Sequence, residues 1–337
     1  MSGADPRDRL RRRLVELGEH VRARVLASRQ AAAPGELAAV VGSTRADVIY
    51  AVDRVSEAAI TEWFRARWPA EEPVQLVMEG IEDHERVTFP AETPAGRLRW
   101  TCLLDPVDGT RNLMYDKRSA WVLAGLAPYG QGSATLAEIE VAAMVELPPA
   151  KQGQADSLSV VRGAGPDGLV AERVGLDSGR RARWRPRPSP AVDFNHGFAS
   201  IARFLPEGKE ALAGLEEELW RRLGPAATVV FEDQYISTGG QFFQLLAGHD
   251  RFLADLRPEV LALQGQLGTA LVCHPYDVAA ALVAQEAGVV LERPDGSPLD
   301  APLDTTSPVS WVGYANPRLA ELVRPVLTSL LQQLRVK

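Results

Sequence analysis

Cysteine is scarce, with two residues in 337. Cys102 and Cys273 lie far apart, in the apolar contexts TCLL and LVCH, and no CxxC pair or ladder of spacings accompanies them. That argues against a disulfide framework or a cysteine zinc site and leaves two buried small hydrophobes. Positive charge is also in deficit: 37 Lys and Arg face 44 Asp and Glu, a net charge of −7. Such a balance argues against a nucleic-acid polymer as partner, because that partner needs a basic face. Long apolar runs are missing too. No window approaches the ~20 residues of a membrane span. Charges interrupt every apolar stretch of MSGADPRDRLRRRLVELGEHVRARV, so it holds no signal-peptide core. The expectation is a soluble cytoplasmic protein with no membrane partner. A hydrophobic share of 46% is enough for a sizeable core, in two domains or one large α/β unit.

Leu10, Leu14, Leu17, Val21, Val25 and Leu26 recur at helical spacing and predict an amphipathic helix over ~6–29. A looser connection, AAAPGELAAVVGSTRAD, leads to a second helix over Ile49–Trp68. Its apolar face holds Val52, Val55, Ala59, Ile60, Trp63 and Phe64; Trp63, Trp68 and Trp100 read as packing residues. VQLVME, RLRWTCLLD, AWVLAGLAPY, EIEVAAMVELP and SLSVVRGAG read as successive strands of a largely antiparallel meander. SGRRARWRPRPSPAVDFNH, with five arginines and three prolines, reads as a solvated linker between two halves, 1–185 and 186–337. Beyond it, GFASIARFL and GKEALAGLEEELWRRLG read as helices and TVVFEDQY as a strand. STGGQFFQLLAGHDRFLADLRP reads as glycine turn, helix, glycine and strand. YDVAAALVAQEAG reads as one helix closed by Gly288, and VVLERPDGSPLD as strand and turn.

Three apolar elements end in acids: VQLVME, RWTCLLDPVD and LVCHPYD. If they end at one sheet edge, Glu79, Asp105, Asp108 and Asp277 meet there. Four carboxylates cannot share a buried site in charged form without cations. Hard divalent ions answer that need, and Mg²⁺ suits carboxylate and phosphate oxygens together. The Val107 carbonyl, between Pro106 and Asp108, can point into the same place. Gly109 lets backbone approach an anion. A helix starting near Thr110 offers free N–H groups to phosphate. Mg²⁺, phosphate and water together make metal-assisted hydrolysis of a phosphate ester.

DPVDGT (Asp105–Thr110) resembles the D-P-[IVL]-D-G-[TS] signature of the inositol monophosphatase and fructose-1,6-bisphosphatase superfamily. Tyr276-Asp277-Val278-Ala279-Ala280-Ala281 resembles that family's W-D-x-A-A-G, and AVDRVSE its T-x-x-D element. With supporting matches at SVVRGAG and STGGQFFQLLAGHDRFLAD, the resemblance spans about residues 10–316. It implies an α/β (α+β) fold layered as an αβαβα sandwich. It also implies a small phosphorylated metabolite as substrate, two or three Mg²⁺ (Mn²⁺ as a substitute), Li⁺ sensitivity and a homodimer. By the same resemblance Glu79, Asp105, Asp108, Asp277 and the Val107 carbonyl hold metal. Thr110 and Asp53, with Glu79, activate the water, and Gly109, Thr110 and Asp277 hold the phosphate and substrate.

The sequence departs from that pattern. The family usually carries two adjacent acids on the upstream strand, whereas Gly80 follows Glu79 here; Glu82 is the alternative ligand. The loop HERVTFPAETPAGR is enlarged, Tyr276 and Ala281 replace a Trp and a Gly, and the segment before Asp277 is longer. These changes motivate a second reading, a catalytically weak or silent relative that binds a phosphorylated ligand for regulation or assembly. Bland readings stand beside the rest. Asp277 can cap a helix from Val278, His196 and His274 can be structural, and Arg111 can meet phosphate or solvent.

Overall fold

Apolar strands broken by short polar turns build one large sheet in the first half of the chain. The computed structural model describes residues 5–31, 40–43, 48–81, 85–130, 134–268 and 270–336. In chain order come α1 (Pro6–Ala31), the paired short strands β1 (Val40–Ser43) and β2 (Val48–Tyr50), α2 (Ala51–Arg67), β3 (Val74–Met78) and β4 (Val87–Phe89). Then follow β5 (Trp100–Asp108), α3 (Thr110–Met114), β6 (Ala120–Pro128), β7 (Val141–Leu147), β8 (Gln154–Val161), the single turn α4 (Gly165–Gly168), β9 (Val170–Gly175) and β10 (Arg181–Trp184). The strands from β3 on form an eight-stranded sheet in the order β10-β9-β8-β7-β6-β5-β3-β4. Neighbours are antiparallel except β3 and β5, which run parallel.

The second half supplies β11 (Gly197–Ile201), α5 (Lys209–Leu223), β12 (Val230–Phe231), α6 (Thr238–Leu246), β13 (Asp250–Asp255), α7 (Arg257–Leu263), α8 (Ala281–Glu286), β14 (Val290–Glu292), β15 (Trp311–Tyr314) and α9 (Pro317–Val336). Its five strands pair in the order β12-β11-β13-β15-β14.

Three apolar cores separate five layers. Leu10, Leu14, Leu17 and Val21 of α1 and Ile60, Trp63 and Phe64 of α2 pack on one face of the large sheet. Its other face packs on Phe242 and Leu245 of α6 and Leu282 and Val283 of α8, which also meet Leu291 and Trp311 of the second sheet. Leu212 and Leu219 of α5 and Leu319 and Val323 of α9 cover the outer face of that sheet. Each fully buried Leu, Val or Phe in these layers contributes about 1.5–3 kcal/mol. The result is the expected αβαβα sandwich. β6 is buried along nearly its whole length because helices cover both faces of the sheet.

Several local expectations need correction. GFASI is strand β11, not helix, because its five residues pair in parallel with β12 and β13; that pairing overrides a helix-like apolar spacing. Arg181–Trp184, expected within a linker, pairs with β9 as the edge strand. RLRWTCLLD begins as a strand only at Trp100 and continues past Asp105 to Asp108. Ile49 and Tyr50 belong to β2 rather than the second helix. Only Val230–Phe231 of TVVFEDQY is strand. The enlarged loop contains β4, which pairs with β3. YDVAAALVAQEAG divides into a 3₁₀ turn, Pro275–Val278, and α8, so Asp277 does not precede a helix as its cap. Its carboxylate instead accepts the His274 N–H from the third position of that turn, at 2.6 Å.

Candidate active site

Residues three apart on a regular strand point to opposite faces. Asp105 and Asp108 escape that rule. Asp105 pairs with Leu123 and Asp108 with Trp121, so three steps on β5 match two on β6. The extra residue is a β-bulge at Pro106–Val107, where proline has no N–H to give to a ladder. The bulge restores parity, and the two carboxylates meet on one side. The Val107 N–H donates to Asp105 Oδ1 at 2.9 Å and stiffens the bend.

Asp108 is gripped from the second half. Ser237, the N-cap of α6, donates its hydroxyl to Asp108 Oδ2 at 2.6 Å. The Thr238 and Gly239 N–H groups add bonds at 3.0 and 2.6 Å. A Cβ on Gly239 would sit 3.0 Å from Asp108 Oδ2 and 2.5 Å from Leu123, so the close approach needs a glycine there. Asp277 joins from the 3₁₀ turn: oxygens of Asp105, Asp108 and Asp277 all lie within 4.8 Å of one another. Glu79 follows β3, whose Met78 is in register with Leu104 of β5, so it reaches the same sheet edge. It borders the cleft but stands outside that tight group of three. Glu82 lies outside the described residues.

Burial and like charge act together on these acids. Burial, then Glu79, Asp108 and Asp277, push the Asp105 carboxyl well above its usual range. Burial and then Asp277 push Asp108 up to about 7, against the three hydrogen bonds from Ser237 and the start of α6. Neither Asp105 nor Asp108 forms an ion pair with Arg, Lys or His among the described residues. Hard carboxylate oxygens crowded in a place that raises their proton affinity fit a divalent cation such as Mg²⁺ or Mn²⁺.

Gly109 turns the chain from β5 into α3 with φ 88°, in the left-handed region. A Cβ there would also meet Ser237 at 2.8 Å. The Thr110 hydroxyl lies 2.8 Å from the Val107 carbonyl oxygen and 3.2 Å from Asp53 Oδ1. Asp53 is held in turn by the Tyr50 N–H, at 2.7 Å. Asp53 thus reaches Thr110 across 57 residues of sequence.

These groups open onto a cavity of about 110 Å³. Arg111, His274 and Tyr276 share its lining, whereas His196 is exposed on a loop. Sequence reasoning missed two residues here. Ser237 signalled itself only as a helix cap. Arg257, buried and bonded to Asp255 at 2.9 and 2.5 Å, lines the cleft from the start of α7.

No protein-family model matches this sequence, and no curated protein matches it. Solved structures do match in fold. Fructose-1,6-bisphosphatase from Leishmania major superposes with a TM-score of 0.66 at 13% identity, over 96% of this chain and 93% of that one. The IMPase of Thermotoga maritima gives 0.60 at 16% identity, over 97% and 99%. Extragenic suppressor protein suhB from Bartonella henselae gives 0.59 at 16%, over 96% and 98%. The chain therefore has the layered α/β fold of these solved structures. More narrowly, it is the inositol monophosphatase and fructose-1,6-bisphosphatase fold, which the motifs at Asp105 and Asp277 resemble.

Proposed function

We propose that the protein is a Mg²⁺-dependent phosphomonoesterase acting on a small phosphorylated metabolite, such as an inositol phosphate or a sugar phosphate. One observation carries the reading. The fold spends a β-bulge, a helix N-terminus and a 3₁₀ turn on bringing Asp105, Asp108 and Asp277 together, and among the described residues gives Asp105 and Asp108 no cationic side chain. Asp105, Asp108 and Asp277, with Glu79 and the Val107 carbonyl, would hold two or three ions, Mg²⁺ or Mn²⁺. When bound, such ions neutralise the acids, polarise the phosphate and lower the pKa of a water.

The remaining roles belong to the chain. Gly109 and Thr110 turn the first N–H groups of α3 toward the cleft, where they can hold a phosphate oxygen. Asp277 borders the bound substrate as well as the metal. Thr110 Oγ1 takes a proton from the attacking water and passes its own to Asp53, 3.2 Å away. Tyr50 N–H keeps Asp53 aimed at it. The same reading carries a homodimer, Li⁺ sensitivity and a cytoplasmic location.

A phosphate-release screen over inositol, sugar and nucleotide monophosphates tests it, with Mg²⁺ and with or without Li⁺. Mg²⁺-dependent release from at least one compound is expected. Gly80, where the pattern has a second acid, favours the silent-relative reading. Divalent-ion binding with no release from any compound would select that reading instead.

A further inference from the structure

Arg257 opens the lengthened segment before Asp277 and lies in the wall of the acid cleft, 6% exposed. A guanidinium carries five N–H donors and no acceptor. Nε and Nη2 fork onto Asp255, at 2.9 and 2.5 Å, and Nη1 donates to the Leu271 carbonyl at 3.2 Å. Each terminal nitrogen carries two N–H groups. Nη1 and Nη2 therefore each keep one that has no acceptor among the described residues. A buried donor without an acceptor is costly, so the two mark a place for an oxygen that the chain does not supply.

The groups around the guanidinium put it at the cleft and not behind it. Its side chain keeps 8% of its surface exposed, and Arg257 lines the cleft whereas Asp255 does not. Its Cζ lies over the Phe204 ring, 4.4 Å from the centre, and both Phe204 and Leu271 line the cleft themselves. Burial works against its charge, Asp255 supports that charge, and Asp277 is near enough to support it too. Leu205 and Val272 make the neighbouring wall apolar. The cleft holds about 110 Å³, well below the roughly 300 Å³ at which pockets for drug-sized ligands begin, so the group beside Arg257 is small.

We propose that Arg257 is a specificity-determining residue, whose two spare N–H groups receive an uncharged acceptor oxygen, a hydroxyl or ether, next to the phosphate ester of the substrate. The proposal rests on the reading of this cleft as a phosphomonoester site and narrows it. Asp255 already cancels the guanidinium charge at hydrogen-bond distance, so Arg257 offers direction and little net charge. A second phosphate or a carboxylate at that wall brings a charge that Arg257 cannot balance. The wall therefore favours a hydroxylated monophosphate over a bisphosphate or a phosphorylated acid.

Three phosphates on one carbon frame test this with the full chain. Glycerol 2-phosphate has hydroxyl oxygens beside the ester, isopropyl phosphate lacks them, and 2-phosphoglycerate replaces one hydroxymethyl group with a carboxylate. Binding is read by calorimetric titration with Ca²⁺ in place of Mg²⁺, to slow turnover. Glycerol 2-phosphate should bind about tenfold more tightly than isopropyl phosphate, and more tightly than 2-phosphoglycerate. The double variant Arg257→Met, Asp255→Asn exchanges the buried pair for uncharged side chains. In it the tenfold preference should vanish while isopropyl phosphate binds as before; a merely structural pair would weaken all three phosphates together. Equal binding of glycerol 2-phosphate and isopropyl phosphate to the wild-type chain overturns the proposal, as does tighter binding of 2-phosphoglycerate. A preference that survives in the double variant, or failure of all three to bind, overturns it equally. The expected order of binding with no release from any compound of the phosphate screen would overturn the phosphatase reading and still support Arg257.

Discussion

Asp105 in the large sheet and Asp255 in the small one are equally buried, each 1% exposed. Their surroundings are opposite. Asp255 faces Arg257, which donates from Nε and Nη2 and is itself tied to the Leu271 carbonyl at 3.2 Å. Glu292 and Arg324 repeat the arrangement at β14, at 2.7–3.1 Å. Asp105 faces Glu79, Asp108 and Asp277. The chain therefore has the means to bury a carboxylate in comfort and uses them at the wall of the same cleft, which Arg257 lines. At Asp105 it assembles more carboxylates instead. An acid buried for stability brings its guanidinium along; Asp105 and Asp108, which pair with none among the described residues, are arranged for a cation from outside.

The largest expected effect breaks the side of Asp105 and Asp108. Asp108→Asn keeps the shape and removes a charge, so the protein should stay folded. Mg²⁺-dependent phosphate release should fall by roughly a thousandfold or more, because several kcal/mol of transition-state stabilisation depends on the acid group. Full activity in that variant would end the phosphatase reading. Next comes the paired side. Arg257→Met strands Asp255 as an uncompensated buried charge and should cost about 3–5 kcal/mol in urea unfolding. Adding Asp255→Asn should restore most of that loss. Additive losses in the double variant would show that the two are not a pair.

The acids of this comparison were unequally legible in the sequence. Asp105 and Asp108 could be read because they end an apolar run that β5 carries to a sheet edge, whereas the run before Asp277 is no strand and delivers it from a 3₁₀ turn. The pairing of Thr110 with Asp53 followed from the family resemblance, since nothing local joins residues 57 positions apart. The bulge could not be read: the pattern around Pro106 does not reveal that β6 spends two residues where β5 spends three. Ser237 was hidden for a similar reason, because a cap serine looks the same whether or not its hydroxyl also holds a carboxylate from another strand. GFASI was misread because five residues carry too little periodicity to outweigh the parallel neighbours on both sides. Arg257 looked like any arginine before a proline until β13 placed it over Asp255.

A smaller effect separates the two sides by pH. Asp108 rises from 3.8 to about 7 in the fold. Between those values the metal-free folded chain binds a proton that the unfolded chain does not. Its stability should therefore fall as pH rises from about 4 to about 7, then level off. Mg²⁺ should recover the loss at pH 8 and do little at pH 5, where protons occupy the acids. Melting curves in chelator and in Mg²⁺ across that range are the measurement. A chelator-insensitive melting temperature at pH 8 would mean that the acid group does not take up the ion.

The smallest effect comes from an acid that belongs to neither side. Asp250, 6% exposed at the start of β13, is raised from 3.8 to about 7 by burial and then by Asp233. Arg118 lies near enough to oppose the rise, but its guanidinium is bonded to Asp233 at 2.7 and 2.8 Å. Asp250 therefore has a guanidinium close by that serves another carboxylate. The sign is that of Asp108: its raised value makes the fold less stable as pH climbs through the same window. Asp250→Asn removes the penalty without changing the shape. Wild type and variant should unfold alike near pH 3, where Asp250 is mostly protonated in the folded and the unfolded chain. At pH 8 the variant should be the more stable of the two, read from urea midpoints, with phosphate release unchanged. If the two unfold alike at pH 8 as well, Arg118 supports both aspartates, and Asp250 joins the paired side of the comparison.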